Sequence, residues 1–149
     1  MIIENRKTAL SYWVTVGAVM AAIGVAMGAF GAHGLQSFID RIAETDPELA
    51  ARRLDNWKTA AMYQMLHSIG LVLIGIAASR DKNVWFTIAG WTMTIGILVF
   101  SGLLYLLVLT EVRILGAIVP IGGVSMIVSW LALAVGAVQG PTETNSSGP

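Results

Sequence analysis

The residues of this sequence that are best suited to chemistry are its two histidines, His33 and His67. Tyr63 and Gln64 precede His67 by four and three residues, so the three side chains share one face if the segment is helical. Such a face could hold a polar ligand by hydrogen bonds, and two histidines could form the axial pair of a b-type haem. The candidate ligand-binding residues are His33, Tyr63, Gln64, His67, Tyr105 and Pro120.

Pro120 belongs to this set because of its effect on the backbone. It has no N–H donor, and its ring clashes with the carbonyl group four residues earlier, at Gly116. A helix that contains Pro120 is therefore expected to kink, and the kink is predicted to open a cleft beside the polar residues.

Other kinds of chemistry are excluded by what the sequence lacks. It has no cysteine, which excludes disulfides, iron–sulfur clusters and thiolate zinc sites. Nine basic and nine acidic residues give a net charge of zero, so no basic surplus is available for nucleic acid. None of the predicted membrane spans contains a carboxylate that could complete the ligand shell of a metal ion, so no metal site is predicted. Because no nucleophile triad, carboxylate pair or phosphate-binding loop is present, the protein is predicted not to be an enzyme.

The elements that position the candidate residues are predicted to be transmembrane helices. Hydrophobic residues make up 56% of the chain and charged residues 12%, whereas a soluble domain is about a quarter charged. Four uncharged stretches each hold the roughly 20 residues that cross a bilayer as a helix. The fold is predicted to be all-α, an integral membrane four-helix bundle in a single domain over residues 1–140, followed by a disordered tail. The predicted spans are 11–32, 59–79, 84–109 and 114–138, and the tail is 141–149.

The connection 33–58 between the first two spans is predicted to be helical. Leu35, Phe38, Ile39 and Ile42 recur at the spacing of an apolar stripe, which favours a short amphipathic helix in the plane of the headgroups. The sequence Thr45-Asp-Pro-Glu48 then has the features of a helix start. We expect a second helix to run from about residue 47 without a break into the second span.

The topology predicts where the polar residues meet. Four crossings place both termini on one side of the membrane, called side A here, and the connection 33–58 and the turn 110–113 on the other, called side B. The first span ends near His33, and the second carries His67 about two turns from its start. The third and fourth spans bring the remaining candidates to the same half, so the candidates are predicted to converge toward side B.

The orientation is predicted from the basic residues. Side A carries four Lys and Arg residues and side B five, so the total count is nearly balanced. Those of side A adjoin the ends of spans directly, which favours termini on the cytoplasmic side. They are Arg6, Lys7, Arg80 and Lys82.

Small residues are predicted to pack the helices together. In the first span they recur at alternating steps of four and three residues, a pattern that lets helix backbones approach closely in a membrane. Gly116 and Gly123 suggest a similar contact in the fourth span. The residues of the first stripe are Gly17, Ala21, Gly24, Gly28 and Gly31.

Three interpretations of the polar residues stay open at this point. They could be a hydrogen-bonded cluster that only ties helices together. They could line a cleft for a lipid headgroup, a quinone or a small polar solute. His33 and His67 could also ligate a b-type haem, which is the one cofactor that the sequence suggests.

Six motifs follow one another along most of the chain. They are Gly28-Ala-Phe-Gly-Ala-His-Gly-Leu35, Trp57-Lys-Thr-Ala, Tyr63-Gln-Met-Leu-His67, Phe100-Ser-Gly-Leu-Leu-Tyr105, Leu115-Gly116 and Pro120-Ile-Gly-Gly123. Together they resemble domain-of-unknown-function family 423, also called the transmembrane protein 256 family. The resemblance implies a four-span bundle in a bacterial inner membrane or an organellar inner membrane, and it implies no particular activity. Compared with shorter members, this chain has extra charged residues over 47–58, which we interpret as a docking surface.

The sequence therefore predicts a small, non-catalytic, multi-pass membrane protein that is an accessory or assembly subunit of a larger complex. Its expected partners are the lipid bilayer and other membrane protein subunits. A ligand-binding protein for lipid, quinone or haem is the first alternative, and an oligomeric channel or solute carrier is the second.

Overall fold

The computed structural model describes residues 2–81 and 83–139, and these are helical with short connections and no strand. The tail predicted to be disordered, 141–149, lies outside the described residues. Two segments of π-helix, in which each N–H bonds to the carbonyl five residues back, interrupt the α-helices. The elements are α1 Ile2–Ala29, the first π-turn Phe30–Gly34, α2 Gln36–Ala43, α3 Pro47–Arg80, α4 Val84–Ile97, the second π-turn Leu98–Gly102, α5 Leu103–Thr110 and α6 Ile114–Gln139.

Within residues 2–81 and 83–139, four helical stretches are long and apolar enough to cross a membrane. This confirms the predicted all-α membrane fold. The first and third spans each include a π-turn, which the sequence analysis did not predict. The spans are Tyr12–Gly34, Pro47–Arg80, Val84–Thr110 and Ile114–Gln139.

The structure also confirms that α3 runs without a break from Pro47 into the second span. Its 34 residues extend about 50 Å, which is longer than the roughly 30 Å of hydrocarbon, so its first turns reach beyond the apolar core on side B. The carboxylate of Asp46 caps this end by accepting a 2.8 Å hydrogen bond from the backbone N–H of Leu49.

The helices follow one another across the bundle in the order α1, α3, α4, α6. α1 packs along α3, and α6 packs along α4, while α3 and α4 pack against each other in the middle. Within residues 2–81 and 83–139, α1 and α6 form no packed interface with each other. The first span is therefore peripheral, and 17% of its most apolar window is buried, compared with 39% for the second and third spans.

The connection on side B folds onto the bundle. Leu35 and Ile39 of α2 are buried with Trp57 of α3 and Val108 of α5 in one apolar cluster. α2 therefore packs its apolar stripe against protein, and the faces of α2 and α3 that point away from the bundle carry most of the charge.

Candidate functional site

The centre of the site is a buried hydrogen-bonded pair, Gln64 of α3 and Tyr105 of α5. The Tyr105 hydroxyl donates to Oε1 of Gln64 over 3.0 Å, and Nε2 of Gln64 donates to the backbone carbonyl of Met20 over 2.9 Å. The Ser68 hydroxyl donates to the backbone carbonyl of Gln64 over 2.6 Å. The Gln64 carboxamide thus connects α1, α3 and α5, and both its oxygen and its nitrogen have a hydrogen-bond partner.

His67 lies beside this pair in an aromatic environment. Its ring stacks on Tyr63, with 5.4 Å between the centroids, and meets the edge of Trp130 at 6.3 Å. Nδ1 lies 2.8 Å from the carbonyl oxygen of Tyr63. Because a carbonyl oxygen only accepts, the ring donates this bond from Nδ1. The structure therefore brings together four of the six candidates.

His33 does not join them. It is exposed in the first π-turn. α1 and α3 run antiparallel, and Gly31 of α1 lies against Trp57 of α3. Continuing this register places His33 about twelve residues from the level of His67, which is about 18 Å along the helix axis. The prediction that both histidines share one site is corrected, because a single iron within one chain cannot bridge that separation.

Pro120 is also apart from the site. It lies inside α6, which continues as helix through it from Ile114 to Gln139. Its neighbours Val119 and Gly122 form the buried face of α6, and Pro120 is exposed on another face. The prediction that Pro120 opens a cleft beside the candidates is corrected, because its ring does not face them.

Two of the small residues predicted to pack the helices, Gly17 and Gly31, lie where there is no room for a side chain. A methyl group added at Gly17 would lie 2.8 Å from the carbonyl oxygen of Ser68, and one at Gly31 would overlap the indole of Trp57, so both positions require glycine for close approach. One added at Gly24 would make ordinary contacts with Gln64 at 3.5 Å, and Ala21 is partly buried.

Three further positions of the prediction, Gly28, Gly116 and Gly123, leave room for a methyl group. A methyl group at Gly28 would meet no atom within 4 Å, so the prediction that Gly28 packs against a helix is corrected. One at Gly116 or Gly123 would make ordinary contacts at 3.5 and 3.8 Å. The tight position in α6 is Gly122, where it would lie 2.5 Å from the backbone nitrogen of Phe100.

Two central residues of α3, Arg53 and Trp57, are not among the six candidates predicted from the sequence. The indole of Trp57 is buried, donates from Nε1 to the Met27 carbonyl over 2.8 Å, and packs on Tyr105 at 4.6 Å. Arg53 is 5% exposed and donates to the Val108 carbonyl over 3.1 Å. Their spacing in the sequence could have indicated them. Arg53, Trp57 and Gln64 recur at steps of four and seven residues, so they share one helix face.

Arg53 is also held by an ion pair. Its Nη2 contacts Oε1 of Glu111, and its guanidinium lies 5.5 Å from the centroid of the Phe38 ring. Glu111 follows the last residue of α5 and has a φ of 60°, the left-handed conformation that ends many helices. This local turn brings the carboxylate back toward α3.

A cavity of about 400 Å³ lies between the first π-turn and α3. None of the six candidate residues lines it. Within the described residues there is also no group of three or more histidine, aspartate or glutamate side chains that could hold a metal. The residues that line the cavity are Gly28, Gly31, Ala32, Gln36, Leu54, Trp57, Lys58 and Ala61.

The hydrogen bond between Tyr105 and Gln64 is expected to couple the third span to the second. We expect Tyr105→Phe and Gln64→Leu each to lower the free energy of unfolding in detergent by about 1–2 kcal/mol, because each leaves a buried partner unsatisfied. The double variant should show a coupling of about 1 kcal/mol. Tyr12→Phe, which removes a hydroxyl from a half-exposed tyrosine, is the matched control. Strictly additive effects would contradict the bond.

Comparison with known proteins identifies the family. Residues 27–123 match the family described as protein of unknown function DUF423. The chain belongs to this family. The matched DUF423 region begins at Met27, whose carbonyl accepts from Trp57, and includes all six candidate residues.

Full-length relatives of this DUF423 protein are membrane proteins of bacteria. UPF0382 membrane protein SSP2132 of Staphylococcus saprophyticus is 43% identical over 127 residues, which cover 85% of this chain and 97% of that protein. UPF0382 membrane protein YwdK of Bacillus subtilis is 38% identical over 131 residues, which cover 87% and 98%. No solved structure matches the chain. Together with the four apolar helices, these relatives establish a multi-pass membrane protein.

Proposed function

We propose that this protein is a non-catalytic accessory or assembly subunit of a larger membrane complex, and that a transmembrane helix of a partner docks on the outward face of α1. We further propose that it resides in the bacterial inner membrane with both termini in the cytoplasm. The observation that carries the proposal is the composition of the α1 face that points away from α3.

This outward face carries a row of small residues, which the exposed side chains of Val19, Ile23 and Val25 flank. Ala18, Ala22 and Ala26 are spaced by four residues, and Ala29 continues the row. All four are exposed and lie opposite the glycines that pack on α3. We call these four residues the alanine face. Exposed large apolar side chains that suit contact with lipid occur on α3 and α6 as well, but neither helix has a comparable row of exposed alanines.

Such a face favours a helix over lipid as its neighbour. Apolar surface alone does not drive association inside a bilayer, since lipid tails are as apolar as leucine. Small side chains allow two backbones to approach closely, and the gain in van der Waals contact then stabilises the pair. The alanine face is free in the described structure because α1 packs along α3 on its other side.

The polar residues inside the membrane support a non-catalytic role. The functional groups of Gln64 and Tyr105 are occupied by each other and by the Met20 carbonyl. On α6, Ser125 and Ser129 donate to backbone carbonyls of α4 over 2.7 and 2.6 Å. These groups tie spans together, which is what a scaffold for a partner helix requires.

The proposal predicts that enlarging the alanine face releases the partner. Extracted from native membranes in mild detergent, the wild-type protein should migrate within a larger complex, whereas Ala22→Leu with Ala26→Leu should migrate as the lone protein. Ala134→Leu enlarges an exposed alanine of α6 and should leave the complex intact. Native mass spectrometry reads the masses directly. A wild-type protein that is always recovered alone, or a double variant that stays in the complex, would refute the proposal.

A ligand-binding protein is the second candidate, and the surroundings of His67 favour it. The ring is partly exposed between Tyr63 and Trp130, and its Nε2 takes no part in the hydrogen bond to the Tyr63 carbonyl. In the second π-turn, Ser101 is buried, and its Oγ has no hydrogen-bond partner within the part of the chain that the structure describes. In the same mass spectra, a protomer that carries a discrete small-molecule mass would favour this candidate.

A further inference from the structure

A second cavity, of about 550 Å³, lies at the side-B end of the bundle. It forms where the first turns of α3 meet the end of α5 and the turn into α6. None of the candidate residues predicted from the sequence lines it. Its lining consists of Asp46, Leu49, Arg52, Arg53, Asn56, Leu107, Val108, Glu111 and Arg113.

The lining carries a local surplus of positive charge. Three arginines face two carboxylates, and both carboxylates are already engaged. Asp46 caps α3 through the N–H of Leu49, and Glu111 pairs with Arg53. Among the described residues, Arg52 and Arg113 have no carboxylate within ion-pair distance. Three arginines against two carboxylates give the lining a net charge of +1, and two of its guanidinium groups border the cavity without an ion-pair partner among the described residues.

The depth of the cavity matches that of lipid headgroups. The third span ends at Thr110 and the fourth begins at Ile114, so Arg113 lies at the membrane surface. Leu49 and Leu107, which are both partly exposed, form an apolar wall of the cavity beside the arginines. A ligand that suits both regions has an anionic headgroup and an apolar body.

We infer that this cavity binds the phosphate group of an anionic membrane lipid. Arg52 and Arg113 supply planar guanidinium donors, which hydrogen-bond phosphate oxygens in pairs. The Arg53–Glu111 pair forms a neutral inner wall, and the Asn56 amide is an additional donor for a glycerol or headgroup hydroxyl. Basic pockets between helices at a membrane surface bind anionic lipid by this chemistry. A soluble phosphate ester shares the anion but has no use for the apolar wall.

The inference is tested by lipid retention. The protein is reconstituted in bilayers of phosphatidylcholine with phosphatidylglycerol, released, and weighed by native mass spectrometry. We expect the wild-type protein to retain phosphatidylglycerol over phosphatidylcholine, and Arg52→Gln with Arg113→Gln to lower that preference about tenfold. Arg41→Gln is the control, because Arg41 is an exposed arginine on α2 of the same side and bonds its own helix at the Ser37 carbonyl. It should retain lipid as the wild type does.

Other results would overturn the inference. Equal retention of the two lipids by the wild type would exclude an anionic site. An equal loss in Arg41→Gln would show attraction to general surface charge and not to the cavity. Displacement of the lipid by millimolar inorganic phosphate would assign the site to a soluble phosphate compound. Thermal unfolding of the double variant in detergent should match the wild type, since neither arginine makes an internal ion pair.

Discussion

Replacing Gly31 with alanine should lower the free energy of unfolding by about 3 kcal/mol. The added methyl group would overlap the indole of Trp57. That ring cannot withdraw, because it is 1% exposed, bonded to the Met27 carbonyl and packed on Tyr105. Either the π-turn or the indole must move, and both changes break the contact between α1 and α3 at side B. Unfolding in detergent, monitored by tryptophan fluorescence, measures the effect.

Gly28→Ala is the matched control for this prediction. It lies one helical turn earlier on the same predicted stripe, and a methyl group there meets no atom within 4 Å. Alanine is a better helix former than glycine by about 1 kcal/mol, so this variant should be neutral or slightly stabilised. If the two variants were equally destabilised, the close approach of Trp57 to Gly31 would not be the reason.

Replacing Arg53 with methionine should lower the free energy of unfolding by about 2–3 kcal/mol. Methionine retains much of the apolar contact but removes the donor that satisfies the Val108 carbonyl near the end of α5. It also removes the ion-pair partner of Glu111. The Glu111 side chain is 65% exposed, so the loss of this ion pair contributes little to the destabilisation. Most of the expected loss therefore comes from the buried carbonyl group.

Arg52→Met separates this effect from a change in net charge. Arg52 is the next residue on α3, is exposed, and makes no ion pair within the described residues. In a detergent without anionic lipid, this variant should unfold like the wild type. Equal destabilisation by both changes would mean that the guanidinium of Arg53 does not hold α3 to α5.

The helices of this protein follow from local features of the sequence. Gaps between charges are enough to place the spans, because the apolar length of a helix must match the hydrocarbon thickness. The start of α3 was predicted from the residues around Pro47, because capping depends on neighbours in sequence. The π-turns have no such local signal in the sequence, and each contains a close contact across helices: Gly31 with Trp57 in the first, and Phe100 with Gly122 in the second.

The candidate site was only partly predictable for the same reason. Tyr63, Gln64 and His67 lie on one helix, so their proximity follows from helical spacing. The position of His33 depends on the register of α1 against α3. Contacts of the small residues of α1 with α3 set this register, and composition alone does not define those contacts. An arginine near a span end ordinarily reaches toward water. Arg53 is instead buried, with the Val108 carbonyl and the Glu111 carboxylate as its partners, and this follows only from the packing of α5 against α3.

The central claim is that the alanine face of α1 contacts another membrane protein, and site-specific photo-crosslinking in native membranes tests it most directly. A photoreactive residue is placed in turn at positions 18, 22 and 26, and at 134 on α6 as the control. We expect one and the same protein adduct from the three positions of α1 and none from position 134. Adducts to lipid alone at all four positions, or the same protein adduct from position 134, would contradict it.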